Sequence, residues 1–407
     1  MTEPNKYKLL LIAPAIDPND VGEAYVGYKW AEYLNIEFDL TVLTFTKKGH
    51  ENIVNKLPGA EIISWKEGGF FYKFERFNSM FKPWYFIFFF KSRKWIKSKI
   101  NENNRQIDLA LQLTPMAMRY PSPVCGLGIP FVIGPVGGGL LNLLSFEKEL
   151  KKVPWYTKFR KLDGFRISYD PLLKESYLNA EMIIGTAPHV RELIHHNIAE
   201  KRVEIINENG VEKIFRINRS AKGKVKLLYV GRVIRTKGVR DLIRAIGLLK
   251  DDINIQVDIV GDGEDLQACR DEAKALEILE IVVFHGKLKR ENVDVFYEQA
   301  DLFVFPSFRE PSGGVVIEAM SYGLPQIVAN YGGPASIVTS ETGLKVNPID
   351  VESYPVEIAE AIKKLVLDVE LRQKMSVACY EHIEQQYLWK NKLNRVSRLL
   401  KDLIENR

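Results

Sequence analysis

Residues 303–330 read FVFPSFREPSGGVVIEAMSYGLPQIVAN, and the order of apolar runs and chain breakers in them decides the fold. Phe303, Val304 and Phe305 make a short apolar strand, which Pro306, Pro311, Gly313 and Gly314 break into a loop. Val315 to Tyr322 then has the composition of a helix stopping at Gly323, and Gln326 to Ala329 is the next apolar strand. Strand, glycine-rich loop, helix and strand form the repeating unit of a parallel α/β sheet. Glu310 falls at the tip of the first strand and Glu318 about one turn into the helix, with seven residues between them. The first amides of such a helix point outward without intrahelical acceptors and form a ready anion site. In the blander alternative, Glu310 is a solvated loop residue and Glu318 a surface helix residue.

The same alternation extends in both directions. Leu9 to Ala13, Leu40 to Phe45, Leu109 to Leu113, Phe131 to Ile133 and Met182 to Gly185 are the expected strands of the first half. Val225 to Val230, Ile255 to Val260, Val282 to Phe284, Leu302 to Phe305 and Gln326 to Ala329 are those of the second. Apolar strands bounded by Gly or Pro and spaced by helices indicate parallel sheets covered on both faces. A chain of 407 residues exceeds one ordinary core. The expectation is therefore α/β, two doubly wound Rossmann-like domains facing each other across a cleft, with ligands at the carboxyl ends of the strands. The polar, turn-prone stretch from Glu208 to Gly223 is the expected linker. It separates a domain at 1–208 from one at 209–386, followed by a charged terminal helix with an apolar stripe at 387–407.

A second half-site lies in the later domain. Gly231 lets the chain turn at the end of Val225 to Val230, and Arg232 and Lys237 place two cations in one loop before the next helix. A departing diphosphate can be stabilised by such cations without being protonated. Alone, this loop reads as a solvated turn with incidental charges; beside a glutamate-bearing loop of the same domain it becomes a constellation. Gly261-Asp262-Gly263 and His285-Gly286 are two further strand-end turns, each weak on its own.

GRVIRTKG, GDGE and EPSGGVVIE, in this order, resemble the nucleotide-binding half of retaining GT-B glycosyltransferases, and specifically glycosyltransferase family 4, or group 1. The resemblance covers roughly Asn209 to Tyr387 well and the first half only in outline. It implies that Arg232 and Lys237 bind the donor diphosphate, Glu318 the ribose hydroxyls and Glu310 the hydroxyls of the transferred sugar. It also implies that Gly313, Gly314 and Val315 give backbone amides to phosphate and sugar, and that the terminal helix crosses back to the first domain. By family frequency the donor is a UDP-sugar. The sequence holds no Asp-x-Asp triplet, so a metal-independent reaction without cofactors is expected, the Arg-Lys pair replacing a divalent cation.

The first half departs from the family. Where many members carry a histidine, this chain has Gly134-Pro135-Val136-Gly137-Gly138-Gly139. Gly137 and Gly138 are candidates for a loop approaching phosphate or sugar, because only glycine lets backbone come so close. After the first strand only Gly22 matches the family's glycine turn, and Glu23 is a candidate acceptor-side base. His189, His195 and His196 receive no role.

Charge is concentrated. Residues 66–105 hold ten basic and three acidic side chains, a charge of +7 that leaves −2 for the rest of a +5 chain. The run Trp84 to Phe90 is only seven residues, far short of the ~20 needed to cross a bilayer. On a helical wheel Tyr85, Phe88, Phe89, Ser92, Trp95 and Ile96 share a face opposite Arg93, Lys94 and Lys97, a pattern suited to an anionic membrane surface contacted through Trp84 to Lys99. The alternative is a core helix with a solvated charged face. A second basic-aromatic patch occurs at Trp155 to Lys161, and no nucleic-acid module accompanies either. Three scattered cysteines and a short, quickly acidic N-terminal run suit a cytoplasmic protein, peripheral on the inner face of the plasma membrane. Together these features predict a hexosyltransferase acting on a lipid-linked or growing glycan acceptor in cell-surface polysaccharide synthesis. Rival readings are a GT-B epimerase or phosphorylase, and a non-catalytic nucleotide-sugar-binding scaffold.

Overall fold

The computed structural model describes residues 6–46, 53–66, 84–102, 107–140, 143–150, 163–198, 202–219 and 223–407. The chain divides into two compact units. One comprises Met1–Gly139, Lys158–Glu208 and Lys392–Arg407; the other comprises Leu140–Thr157 and Asn209–Asn391.

The first unit is built on seven parallel strands: β1 Lys8–Ile12, β2 Asp39–Thr46, β3 Glu61–Lys66, β4 Leu109–Gln112, β5 Phe131–Val136, β6 Met182–Gly185 and β7 Val203–Ile205. Their order is β3-β2-β1-β4-β5-β6-β7. The second unit has six: β8 Val225–Val230, β9 Ile255–Val260, β10 Val282–Gly286, β11 Leu302–Phe305, β12 Gln326–Ala329 and β13 Gly343–Val346, ordered β10-β9-β8-β11-β12-β13. Both sheets are doubly wound. The chain moves outward from its first strand, then returns to that strand's other side, creating a switch point between β1 and β4 and another between β8 and β11. The central strands are apolar throughout because helices cover both faces. β4, β6, β11 and β12 are buried at every position.

Helix α1 (Glu23–Glu37) follows β1, and α2 (Trp84–Asn101) precedes β4. Three more helices, α3 (Asp163–Tyr169), α4 (Pro171–Asn179) and α5 (Pro188–Asn197), complete the described helices of the first unit before the linker. In the second unit α6 (Val239–Leu249) buries Val239, Leu242, Ile243, Ala245, Ile246 and Leu249, the i, i+3, i+4, i+7 stripe of a helix lying on a sheet. Helices α7 (Leu266–Ala275), α8 (Asp294–Gln299), α9 (Gly314–Ser321), α10 (Gly332–Ile337), α11 (Ser353–Leu367) and α12 (Val369–Gln386) follow. The terminal helix α13 (Trp389–Glu405) begins in the second unit, and its residues from Lys392 onward belong to the first.

The strands read from sequence are all present, with ends moved by a few residues. β3, β7 and β13 were not read as strands. All three lie at sheet edges, where one neighbour is missing, and their mixed burial removes the continuous apolar signal. The division also differs from one boundary after residue 208. Residues 143–150 pack with the second unit, where Phe146 is fully buried in its core.

Helix α2 corrects the expected membrane face. Tyr85, Phe88, Phe89, Ser92 and Ile96 are buried against the sheet. Phe88 meets Phe45 at 5.2 Å, Tyr85 meets Tyr120 at 4.8 Å, and the Tyr85 hydroxyl donates to Pro121 O at 2.6 Å. Phe86, Ile87, Phe90 and Ile100 are the exposed apolar residues of the helix, on the side that also carries exposed Lys91, Lys94 and Lys97. The wheel grouped the aromatics correctly but gave the core face to the membrane. Residues 67–83 and 103–106 of the basic stretch, and the patch at 155–161, lie outside the described residues. No helix among the described residues is long and apolar enough to cross a membrane.

Candidate functional site

The loops after β8 and β11 meet at the second unit's switch point because these strands are neighbours, with Leu227 opposite Leu302 and Leu228 opposite Phe303. After Gly231 the chain passes Arg232 and enters a single 3-10 turn, Arg235–Lys237, that ends at Gly238. Gly238 is left-handed at φ 76°, and a Cβ there would lie 2.0 Å from Pro306 O. Only glycine permits the two loops to approach so closely. Thr236 O accepts from Ser307 Oγ at 3.2 Å and ties the loops again.

Lys237 and Glu310 form an ion pair across this junction, with side chains only 9 % and 15 % exposed. The ammonium also lies 5.5 Å from the Phe305 ring centroid. Glu310 Oε1 accepts from the amides of Ser312 at 3.2 Å and Gly313 at 3.1 Å, and from Ser312 Oγ at 3.3 Å. Burial pushes the Glu310 carboxyl upward, but Lys237 and the two amides outweigh it and leave its pKa below the ordinary value. Glu310 is therefore no solvated loop residue. Its bond to Gly313 also changes one expectation: the Gly313 amide, expected at a phosphate, is engaged within the protein. The amides of Gly314 and Val315, first in α9, have no intrahelical acceptor by position.

Glu318 lies one turn into α9, with its side chain 37 % exposed. Its carboxylate faces Tyr297 OH at 3.4 Å and Arg290 Nη2 at 3.5 Å. Burial dominates and raises its pKa, although Arg290 and Tyr297 oppose the shift. Neither partner was singled out from sequence, since both come from the segment before β11. Arg232 is exposed, and among the described residues its side chain forms no ion pair. Gly261 serves packing: a Cβ there would lie 1.8 Å from Gly231 O, so the GDG turn buttresses the Arg232 loop. His285 Nε2 lies 2.7 Å from Asp258 Oδ1.

The residues singled out in the first unit also gather at strand ends. Gly22 caps α1, and Glu23 Oε1 accepts from Met116 N at 3.1 Å in the loop after β4. Gly137 N donates to Met116 O at 3.2 Å, and Met118 N donates to Gly137 O at 3.1 Å. Met116 thus links Glu23 to the glycine loop, while Gly138 packs on Met118. His189, to which sequence gave no role, is hydrogen-bonded to the backbone of Gly138, and burial lowers its pKa. Its Nε2 is buried and meets no polar partner among the described residues. No group of three or more His, Cys, Asp or Glu side chains suited to a metal ion occurs among the described residues.

Residues 210–382, the part of the chain that carries Lys237, Glu310 and Glu318, match the family "Glycosyl transferases group 1". An uncharacterized glycosyltransferase of Methanocaldococcus jannaschii is 30 % identical over 210 residues, covering 48 % of this chain and 53 % of the relative. The glycogen synthase of Mycobacterium tuberculosis is 29 % identical over 205 residues, covering 49 % and 48 %. The chain thus spans about half the length of the curated relatives it matches. Among solved structures, a glycosyltransferase of Rickettsia africae superposes with a TM-score of 0.66 at 18 % identity, covering 99 % of this chain and all of that one. HepE of Anabaena, in complex with UDP, gives 0.66 at 15 % identity over 97 % and 100 %. These likenesses establish the fold as GT-B, with two parallel-sheet Rossmann-like units.

Proposed function

We propose that this protein is a retaining, metal-independent family 4 glycosyltransferase that moves a hexose from a nucleoside diphosphate donor, favoured to be UDP, to a hydroxyl of a lipid-linked or growing glycan. The observation that carries the proposal is the largely buried Lys237–Glu310 pair at the switch point of the unit that carries the group 1 match. The UDP bound by the Anabaena protein of the same fold is in keeping with such a donor.

In this reading Lys237 bridges Glu310 and the donor diphosphate, and exposed Arg232 joins it. As the sugar–phosphate bond breaks, negative charge develops on the diphosphate and oxocarbenium character on the sugar. Two cations and the amides of Gly314 and Val315 lower that barrier by electrostatic stabilisation. Glu310, held ionised, accepts from sugar hydroxyls, and Glu318 accepts from the ribose. The first unit, with Gly22, Glu23, Gly137 and Gly138 at its strand ends, takes the acceptor. Exposed Phe86, Ile87 and Phe90 beside Lys91, Lys94 and Lys97 favour docking on an anionic cytoplasmic leaflet, where lipid-linked acceptors are found. Incubation with a panel of nucleotide sugars and lipid-linked acceptors, with and without EDTA, tests the proposal. A lengthened glycan formed in chelator supports it. An isomerised donor, or no turnover despite nucleotide binding, moves the reading to an epimerase or a scaffold.

A further inference from the structure

Leu144–Glu149 form a short 3-10 helix that lies outside the matched residues 210–382 yet belongs to the second unit. Phe146 is fully buried and stacks on Phe308, with centroids 4.2 Å apart and planes at 22°. The Arg235 guanidinium lies over both rings, 5.4 Å from Phe146 and 5.1 Å from Phe308. Glu149 Oε2 accepts from Arg235 Nε at 2.7 Å, and its Oε1 from Arg244 Nη2 at 2.9 Å. Asp241 holds the far edge of the same guanidinium by two bonds of 2.6 and 2.9 Å. Arg235, only 4 % exposed, is thus fixed from both sides, with one side supplied entirely by the first half of the sequence.

The consequence is positional. Arg235 precedes Lys237 by two residues in one 3-10 turn, and Phe308 precedes Glu310 by two in the loop after β11. A single strap therefore grips both loops, each through the residue two positions before a member of the Lys237–Glu310 pair. We propose that Phe146 and Glu149 are positioning residues that hold Lys237 and Glu310 in register. Their bearing on donor binding rests on the function proposed above; the mechanical coupling does not. Burial pushes the Glu149 carboxyl upward, but Arg244 and Arg235 outweigh it, so the strap carries a charge into this network.

The test uses the full chain with Glu149→Gln, Glu149→Asp, Phe146→Leu and, as control, Leu144→Ser at a side chain 74 % exposed. Asp241 and Glu272 still neutralise Arg235 and Arg244 in the Gln variant, so the fold survives. Hydrogen exchange of amides 234–238 and 308–313 is measured together with calorimetric titration of UDP, GDP and ADP. Glu149→Gln and Phe146→Leu are expected to exchange about tenfold faster in these two loops while β8 and α12 stay unchanged. The nucleotide that binds the wild type is expected to lose about tenfold in affinity, or ~1.4 kcal/mol. Glu149→Asp should recover part of both effects, and Leu144→Ser should match the wild type. Unchanged loop exchange, or acceleration spread evenly over the whole unit, would overturn the proposal. Loop-specific acceleration in a protein that binds none of the nucleotides would sustain the strap and count against the donor site.

Discussion

The Lys237 ammonium and the Glu310 carboxylate, 73 residues apart in sequence, are ion-paired at the meeting of two adjacent strand-end loops. Each is the other's principal compensation for burial. Removing one partner leaves a largely buried charge, at a cost on the order of 3 kcal/mol. Lys237→Met is therefore expected to lower the melting temperature by several degrees, and Glu310→Gln by less because an amide remains a hydrogen-bond partner. The double variant should regain most of the loss while transferring no sugar. A double-mutant cycle by thermal denaturation checks this.

The pair also sets an acid limit. Glu310 has a folded pKa below its ordinary 4.5, so its stabilisation is complete above about that pH and is lost as pH falls through the lower folded value. Denaturation measured between pH 6 and roughly 3 should show this loss, and Glu310→Gln should flatten the part due to this group.

Glu318 has the opposite sign. Its folded pKa is raised, so its contribution is full below 4.5 and is lost as pH rises through the raised value. At neutral pH the ionised carboxylate costs a little stability, since a side chain 37 % exposed is partly screened by solvent. Glu318→Gln should melt higher than wild type at pH 7, show no gain near pH 4, and bind nucleotide more weakly. Such a trade is common where a site is kept for a ligand.

Gly238→Ala is expected to damage the site without touching a ligand. The left-handed φ of 76° and the 2.0 Å approach to Pro306 O force the two loops apart. The expected result is lost nucleotide binding in a protein that still folds, read by calorimetry beside circular dichroism.

Helix α2 separates core from surface. Phe88→Ala should cost about 3–5 kcal/mol because it empties a fully buried position. Phe90→Ser, at a side chain 65 % exposed, should leave stability within about 0.5 kcal/mol. On the membrane proposal, Phe90→Ser and Lys94→Glu weaken flotation with anionic liposomes at low salt. Wild-type protein that stays off such liposomes would end that proposal.

Glycine and proline punctuation made the strand ends of Glu310 and Lys237 legible, and the doubly wound order places strands β8 and β11 side by side. The faces of α2 were harder. Both sides carry aromatics, so a helical wheel separates Phe88 from Phe90 without telling which one meets the sheet. Phe146 and Glu149 gave no local signal, because their partners Phe308 and Arg235 lie far along the chain and only the tertiary fold brings them together. Tyr297 and Arg290 near Glu318 escaped notice for the same reason.

The most direct test of the donor site is titration of the protein and its Lys237→Ala variant with UDP, GDP and ADP, with and without EDTA. One nucleotide, expected to be UDP, should bind the wild type equally well in chelator and bind Lys237→Ala about tenfold or more weakly, a difference of at least ~1.4 kcal/mol. Absence of binding by all three at millimolar concentration, or equal binding by the variant, would contradict a donor diphosphate held by Lys237.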